Sequence, residues 1–367
     1  LTQSESKLWY LLGMVLGIGL LNKIDFLWLC AGFFAGLLLP ENRKFLKTKE
    51  PYVAALIALL IFSPFIIWNF FNDFAHIEFM SNAVKYKYNT LNQISFIKDT
   101  MLLMNPFSLL VWIPGIFYFF INKELKKSRL LVIIFLTTAA ILLINGKSKA
   151  EYFAAAFFPV IASGAIFWET ITKRKIGKIL AWCITGLILI SGFFMMPFGL
   201  PILSAENYIS YSETIGLKPE SNENKRLLEM PQFYADMFGW EDMARNVAKA
   251  INDIPKEQKE NIIIVARNYG EAGALEHYAK KYNLPKTISF HNNFWIWANS
   301  EIDEKEYTFI VIGGSKSEHE ETCNEVYLAG MHTTKYSMPY ENNLPIFVCK
   351  KLKIPIKEII KMEKHFV

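Results

Sequence analysis

The sequence predicts a multi-span α-helical membrane domain followed by a C-terminal α/β domain. Three observations carry this. Hydrophobic residues make up 52% of the 367 and the mean hydropathy is positive, above the balance of an ordinary soluble chain. Apolar runs approaching the ~20 residues of a bilayer crossing recur up to Leu200. Acidic residues, sparse up to that point, become dense from Ala205 onward, so the chain divides into a helical part, 1–204, and a mixed part, 205–367.

The apolar runs fall at 51–71, 106–121, 130–144, 153–171 and 179–200. A further stretch, 8–39, is interrupted by Asn22, Lys23 and Asp25. Charges at bilayer depth are costly, so two short helices meeting at a polar turn are expected there rather than one long span. Between the runs, basic residues gather in links 41–50 (Arg43, Lys44, Lys47, Lys49), 123–129 (Lys123, Lys126, Lys127, Arg129) and 173–178 (Lys173, Arg174, Lys175, Lys178). The positive-inside rule makes all three links cytoplasmic. Links 72–105 and 145–151, and everything after Leu200, are then expected outside, which makes the α/β domain extracytoplasmic. Because so many cations of the +5 net charge punctuate apolar runs, they read as topology signals and not as a nucleic-acid surface.

Cys30, Cys183, Cys323 and Cys349 show no Cys-x-x-Cys spacing, and the first two lie in apolar segments. Neither a zinc site nor a disulfide framework is indicated, and a single Cys323–Cys349 bridge stays open without support from spacing. No signal peptide heads the chain and its first residue is Leu, which reads as a start inside a longer protein.

After Ala205 the periodicity changes. Trp240, Met243, Ala244, Val247, Ala248 and Ile251 recur at helical spacing. Two short β-branched and aromatic runs, 262–266 and 307–312, read as buried strands, with a helix at 270–282 and a short strand at 287–290 between them. Strand, helix, strand predicts a parallel crossover unit. A further strand is expected at 345–350. Ligands of open parallel sheets bind beyond the strands' carboxyl ends. Here those ends carry Asn268, Tyr269 and Glu271, then His291, Asn292 and Asn293, then Gly313, Gly314 and Ser315. They predict a polar crevice of Asn268, Tyr269, Glu271, His291 and Asn292. The glycines form neither Gly-x-Gly-x-x-Gly nor a Walker-type loop, so the pattern gives no nucleotide site.

Three membrane-segment patterns stand out: Gly17-Ile18-Gly19-Leu20-Leu21-Asn22-Lys23, Ser63-Pro64-Phe65-Ile66-Ile67-Trp68-Asn69, and Gly146-Lys147-Ser148-Lys149-Ala150-Glu151-Tyr152 leading to Phe158-Pro159. With them the membrane part resembles the C-terminal half of the membrane domain of glycosyltransferase family 39. These are GT-C enzymes that include protein O-mannosyltransferases and lipid A aminoarabinose transferases. The second part is similar to the appended domain of some bacterial members through Tyr234-Ala235-Asp236-Met237-Phe238-Gly239-Trp240, Asn268-Tyr269-Gly270-Glu271-Ala272-Gly273-Ala274 and Met338-Pro339-Tyr340-Glu341-Asn342. The resemblance implies a GT-C-like fold and a membrane enzyme moving a sugar from a polyprenyl-phosphate carrier to an extracytoplasmic acceptor. Its partners are then the sugar-bearing polyprenyl-phosphate lipid and membrane lipids, with no nucleic acid. The family's catalytic carboxylate, in the first extracytoplasmic loop, is expected upstream of residue 1, so no catalytic residue is assigned here. No metal signature is present and the cofactor is unassigned.

Lys147 and Lys149 are expected at the outer membrane edge, where a cation can hold the carrier's phosphate; the plainer reading is interfacial snorkelling. Glu151 and Tyr152 are placed to orient these lysines or touch the sugar, or else serve as interfacial anchors. Lys23 and Asp25 are candidates for the same cavity, against a solvated turn. The long 72–105 loop is a candidate cover. Phe294, Trp295, Ile296 and Trp297 alternate as if one face stacked on a sugar ring, with core packing as the plainer reading. A membrane-anchored glycan-binding protein without catalysis is the alternative function.

Overall fold

The computed structural model describes residues 6–88, 93–147, 149–217, 226–256, 259–303 and 305–367. Ser148 of the Gly146–Tyr152 pattern and residues 89–92 of the expected cover lie outside them. The chain forms two compact units, Leu1–Phe74 with Asn89–Leu200, and Ala75–Tyr88 with Pro201–Val367. This departs from the 1–204 and 205–367 division in one respect: the segment leaving the membrane part between two spans packs with the second unit.

The first unit is helical because, without water, only a helix satisfies every backbone polar group within one crossing. α1 (Ser6–Asn22) and α2 (Phe26–Leu37) are the two short helices, and Lys23 and Asp25 pair across their turn at 3.2 Å. α3 (Glu50–Phe71) follows; α4 (Ala75–Asn82) belongs to the second unit. α5 (Gln93–Leu103), α6 (Leu109–Ile121), α7 (Arg129–Asn145), α8 (Phe157–Ile171) and α9 (Lys175–Gly199) complete the first unit. Among the described residues, four stretches are long and apolar enough to cross a membrane: Glu50–Phe71, Glu124–Asn145, Ala150–Ile171 and Lys175–Gly199. The run expected as a span at 106–121 is instead half of a broken pair, bent 95° from α5. Asn105 fixes that bend. Its backbone adopts a left-handed φ of 67°, its Oδ1 accepts from Phe107 N and Ser191 Oγ, and its Nδ2 donates to Ile188 O.

Lipid tails are as apolar as leucine, so these helices associate by close packing at small residues. Gly13 and Gly17 of α1 lie against Ala54, Ala58 and Ile61 of α3. Gly32 and Gly36 of α2 lie against Ile134 and Leu130 of α7. Gly115 of α6 and Gly164 of α8 meet so closely that a Cβ on Gly115 would stand 1.9 Å from Val160 O. Aromatic rings fill the interior beside this contact: Phe135 packs on Phe153 and Phe157 at centroid separations of 4.8 and 5.1 Å, and Trp112 on Phe157 at 5.2 Å. At one end of the unit Glu41 meets Arg129 at 3.5 Å and Lys126 at 3.8 Å, which brings two of the basic links together.

The second unit is an α/β layer structure. After α10 (Ala205–Ile215), α11 (Gln232–Ala235) and α12 (Trp240–Asp253) come β1 (Ile262–Ala266), α13 (Tyr269–Tyr282), β2 (Thr287–Ser289), α14 (Asn293–Glu301) and β3 (Thr308–Ile312). α15 (Lys316–Thr322), β4 (Cys323–His332), β5 (Leu344–Leu352) and α16 (Ile356–Met362) complete it. The sheet order is β2-β1-β3-β5-β4, with β1 parallel to β2 and β3, and β5 antiparallel to β3 and β4. Alternation along the strands builds two cores. Ile264, Ile310, Ile346 and Val348 face Met243, Val247 and Leu275; Ile263, Ile288 and Phe309 face Ala298, Ile356 and Ile360.

Three features add to or change the sequence reading. Residues 294–297 lie in α14, so their apparent alternation is helical: Trp295 Nε1 donates to Ile360 O while Trp297 is exposed. β4, unread in the sequence, forms the sheet edge with few buried side chains, so it carries no apolar alternation. Cys323 and Cys349 form a disulfide between β4 and β5, which adjacency across the ladder permits and spacing did not reveal. The segment Ala75–Tyr88 is tied to the unit's last residues: Asn82 Nδ2 donates to Phe366 O at 2.8 Å, and Glu78 pairs with Lys364 at 2.7 Å.

Two outcomes are expected. Gly115→Leu forces α6 and α8 apart and costs at least the ~1–3 kcal/mol of an overpacked core, read as a lower melting temperature in detergent; Gly186→Leu, with open space around its Cβ, leaves melting unchanged. His332 is buried, its Nδ1 3.2 Å from Asn246 Nδ2, and burial holds its pKa below the ordinary value of 6.5. A depressed imidazole favours the neutral folded form, so its contribution is full above pH ~6.5 and is lost as the pH falls through the folded value. Unfolding of wild type between pH 7.5 and 5 therefore shows an acid-side loss that His332→Gln flattens.

Candidate functional site

Residues expected in one membrane-edge cavity come partly together. Gly146, in a left-handed conformation at φ 64°, ends α7 and turns the chain into a 3-10 helix, Ala150–Ala156. Ala150 and Phe153 are buried and anchor that turn. Tyr152 is thereby presented to the α1–α2 turn: Lys23 Nζ lies 3.8 Å from the centre of its ring, and Trp28 packs against the ring's other surroundings at 5.8 Å between centroids. Lys23 thus holds both a carboxylate and an aromatic ring, while its side chain stays 54% exposed. The two contacts fix the ammonium without removing it from solvent, which leaves it able to meet an anion. Lys147 and Lys149 flank the turn half-buried, and Glu151 is exposed. Trp28 was not singled out from the sequence; its position three residues after Asp25 on α2 is the signal that finds it.

In the second unit the crevice expectation divides. Asn268 caps α13, its Oδ1 accepting from Glu271 N at 2.9 Å. Glu271 is not in a crevice. It is fully buried and accepts from Arg267 three times, from the backbone N at 2.9 Å, Nε at 3.2 Å and Nη2 at 2.8 Å. A carboxylate three positions into a helix is drawn to the orphan amides of that end, and the buried charge requires the guanidinium. Asn292 is likewise a fastener: its Nδ2 donates to Val367 O and its Oδ1 accepts from Val367 N, each at 3.1 Å. At the end of β3, Gly313 has a φ of 77° and a Cβ there would strike Arg267, while Ser315 caps α15 by a capping box with Glu318.

Asn268, Tyr269 and His291 do line one cavity, of about 440 Å³, at the carboxyl ends of β1 and β2. The ring of His291 stands 5.0 Å from that of Tyr269, and its Nε2 donates to Val367 O at 2.9 Å. The first residues of α11 and α12 add Gln232 and Trp240, the loop between them adds Asp236, the 339–341 turn adds Tyr340 and Glu341, and the inserted segment adds Tyr86 and Lys87. Arg267 Nη2 also donates to Tyr340 O, so the buried Arg267–Glu271 pair sets both the end of β1 and the turn opposite it. Sequence reasoning missed these partners because they come from three stretches of chain far apart in sequence. A second cavity of about 560 Å³, lined in part by Arg267, opens over Phe309, Val311 and Ile359.

With this geometry in place, residues 1–68 match the family model described as dolichyl-phosphate-mannose-protein mannosyltransferase. The match takes in α1, α2 and most of α3, and with them Lys23, Asp25 and Trp28, but not Tyr152 or the second unit. No curated protein and no solved structure matches the chain.

Removing one partner of a buried ion pair costs about 3–5 kcal/mol when the other is left charged. Arg267→Ala is therefore expected to lower amide protection in β1 and α13, read by hydrogen–deuterium exchange, whereas Arg245→Ala, at an exposed pair with Asp242, leaves it unchanged.

Proposed function

We propose that this chain acts in a membrane glycosyltransferase that moves a sugar from a polyprenyl-phosphate carrier to an acceptor on the extracytoplasmic side. The observation that carries this reading is the Lys23–Asp25–Tyr152 cluster. It joins the stretch similar to mannosyltransferases to the Gly146–Tyr152 pattern, whose 145–151 link is expected outside by the positive-inside rule. The Cys323–Cys349 disulfide supports the same side for the second unit, since such bonds persist in oxidising compartments.

In this mechanism the acceptor oxygen attacks the anomeric carbon, the carbon–oxygen bond to the carrier phosphate breaks with inversion, and the acceptor's proton passes to a carboxylate base that is not assigned within these residues. Charge accumulates on the leaving phosphate. Lys23, with Lys147 and Lys149 on the flanks of the same turn, supplies cations to stabilise it. Tyr152 positions Lys23 through its ring.

The test is transfer from a polyprenyl-phosphate sugar by full-length protein in membranes. Lys23→Ala, Lys147→Ala and Lys149→Ala are expected to lower kcat by ~10²-fold or more, the scale of a lost transition-state donor. Tyr152→Phe, which keeps the ring, retains activity, and Tyr152→Ala loses about tenfold, with unchanged melting in each case. Wild-type rates in all three lysine variants refute the assignment.

A further inference from the structure

The cavity at the carboxyl ends of β1 and β2 is absorbed neither by the transfer chemistry above nor by the packing of the second unit. Aromatic rings and groups that hydrogen-bond hydroxyls line it together. Trp240, Tyr269, Tyr340 and Tyr86 bring ring surfaces, while Asp236 and Glu341 bring carboxylates. We propose that this cavity is a saccharide-binding site, taking an uncharged sugar ring whose hydroxyls meet Asp236, Glu341, Gln232 and Asn268 and whose C–H face lies on Trp240 and Tyr269.

Four features of the molecule lead there. The cavity stands outside the carboxyl ends of parallel strands, where open α/β sheets bind ligands, and its volume of about 440 Å³ lies in the range of small-molecule sites. Two lining carboxylates against the one lysine, Lys87, disfavour phosphate and carboxylate ligands but accept from hydroxyls, which a sugar presents in number. The Trp240 ring is held in a set orientation, because its Nε1 donates to Asp236 O and its edge lies over the first turn of α13, where a Cβ on Gly270 would stand 3.3 Å from it. Glycine at 270 keeps that surface open. Tyr269, in contrast, is 49% exposed, a large ring left facing the cavity mouth although the core beneath has its own apolar side chains.

The fourth feature is the inserted segment. Tyr86 and Lys87 reach the cavity from a π-helical turn, Ala83–Lys87, inside the stretch that departs from the membrane part between α3 and α5. π-turns are rare and concentrate at functional sites. The same stretch is fastened by Asn82 to Phe366 and by Glu78 to Lys364, beside His365, which also lines the cavity. Sequence from the membrane chain thus completes a wall of the soluble unit's site. This proposal holds whether or not the membrane unit transfers sugar, and its test reads binding alone.

The probes are mannose, glucose and N-acetylglucosamine and their short oligosaccharides, presented to full-length protein in nanodiscs and read by saturation-transfer NMR. Wild type is expected to saturate the ring protons of at least one of them. Trp240→Ala and Tyr269→Ala each weaken that Kd at least tenfold, and Asp236→Asn, which keeps the shape of the wall, weakens it several-fold. Trp297→Ala, on the exposed face of α14, leaves it unchanged. Should Trp240→Ala fail to fold, Tyr269→Ala, at a half-exposed ring, and the isosteric Asp236→Asn carry the test. Absence of transfer to all the probes, equal transfer in the folded Tyr269→Ala and Asp236→Asn variants, or preferential binding of inorganic phosphate overturns the proposal.

Discussion

Close approach of helix backbones is the constraint on which the membrane unit depends. Between apolar helices in lipid there is no hydrophobic gain from pairing, so cohesion must come from contact distance. Gly13, Gly17, Gly32, Gly36, Gly115 and Gly164 each stand where a Cβ would lie within 3 Å of a neighbouring helix, and these contacts define three helix pairs, α1 with α3, α2 with α7 and α6 with α8. The pairs in turn decide which polar ends meet. α2 bound to α7 carries the α1–α2 turn toward the chain that follows α7, and this is why Lys23 finds Tyr152.

The second unit rests on a different interaction, a buried carboxylate that cannot be left alone. The Glu271 carboxylate accepts three hydrogen bonds from Arg267, and Arg267 reaches on to the Tyr340 carbonyl. One residue with no exposure therefore sets the geometry of two walls of the strand-end cavity. The absence of a side chain at Gly313 leaves Arg267 its place. Stability and site shape share these atoms, so the polar residues at the strand ends are not interchangeable: Glu271 and Asn292 fasten, while Asn268, Tyr269 and His291 line.

How much of this was legible in the sequence follows from which interactions are local. Hydropathy and basic links mark spans because each is a property of a continuous stretch. The 22–25 break, the α12 stripe and strands β1, β3 and β5 are legible for the same reason. What the sequence hides is non-local or compositionally quiet. β4 is an exposed edge without apolar alternation. Tyr86 and Lys87 belong to a segment whose neighbours in sequence are membrane helices. Trp295 and Trp297 mislead because four apolar or aromatic residues in a row fit either period. The Cys323–Cys349 bond depends on an antiparallel pairing of β4 with β5 that no spacing rule encodes.

Two ion contacts and one ring contact bear jointly on how the helices run. By alternation, links 41–50 and 123–129 share one end of the bundle, and the 22–25 and 145–152 connections share the other. Glu41 meets Lys126 and Arg129 at the first end, and Lys23 meets Tyr152 at the second. With lysines more than half exposed, the Lys126–Glu41 and Lys23–Tyr152 contacts contribute at most ~1 kcal/mol each, so they do not hold the fold together. Their weight is geometric. A misread span between 26 and 145 would flip the parity of the ends that follow it and separate one of these pairs by the length of a helix, ~26 Å for the 17 residues of α7. The contacts thus place links 41–50 and 123–129 beside one another, and the 22–25 turn beside the turn that follows α7.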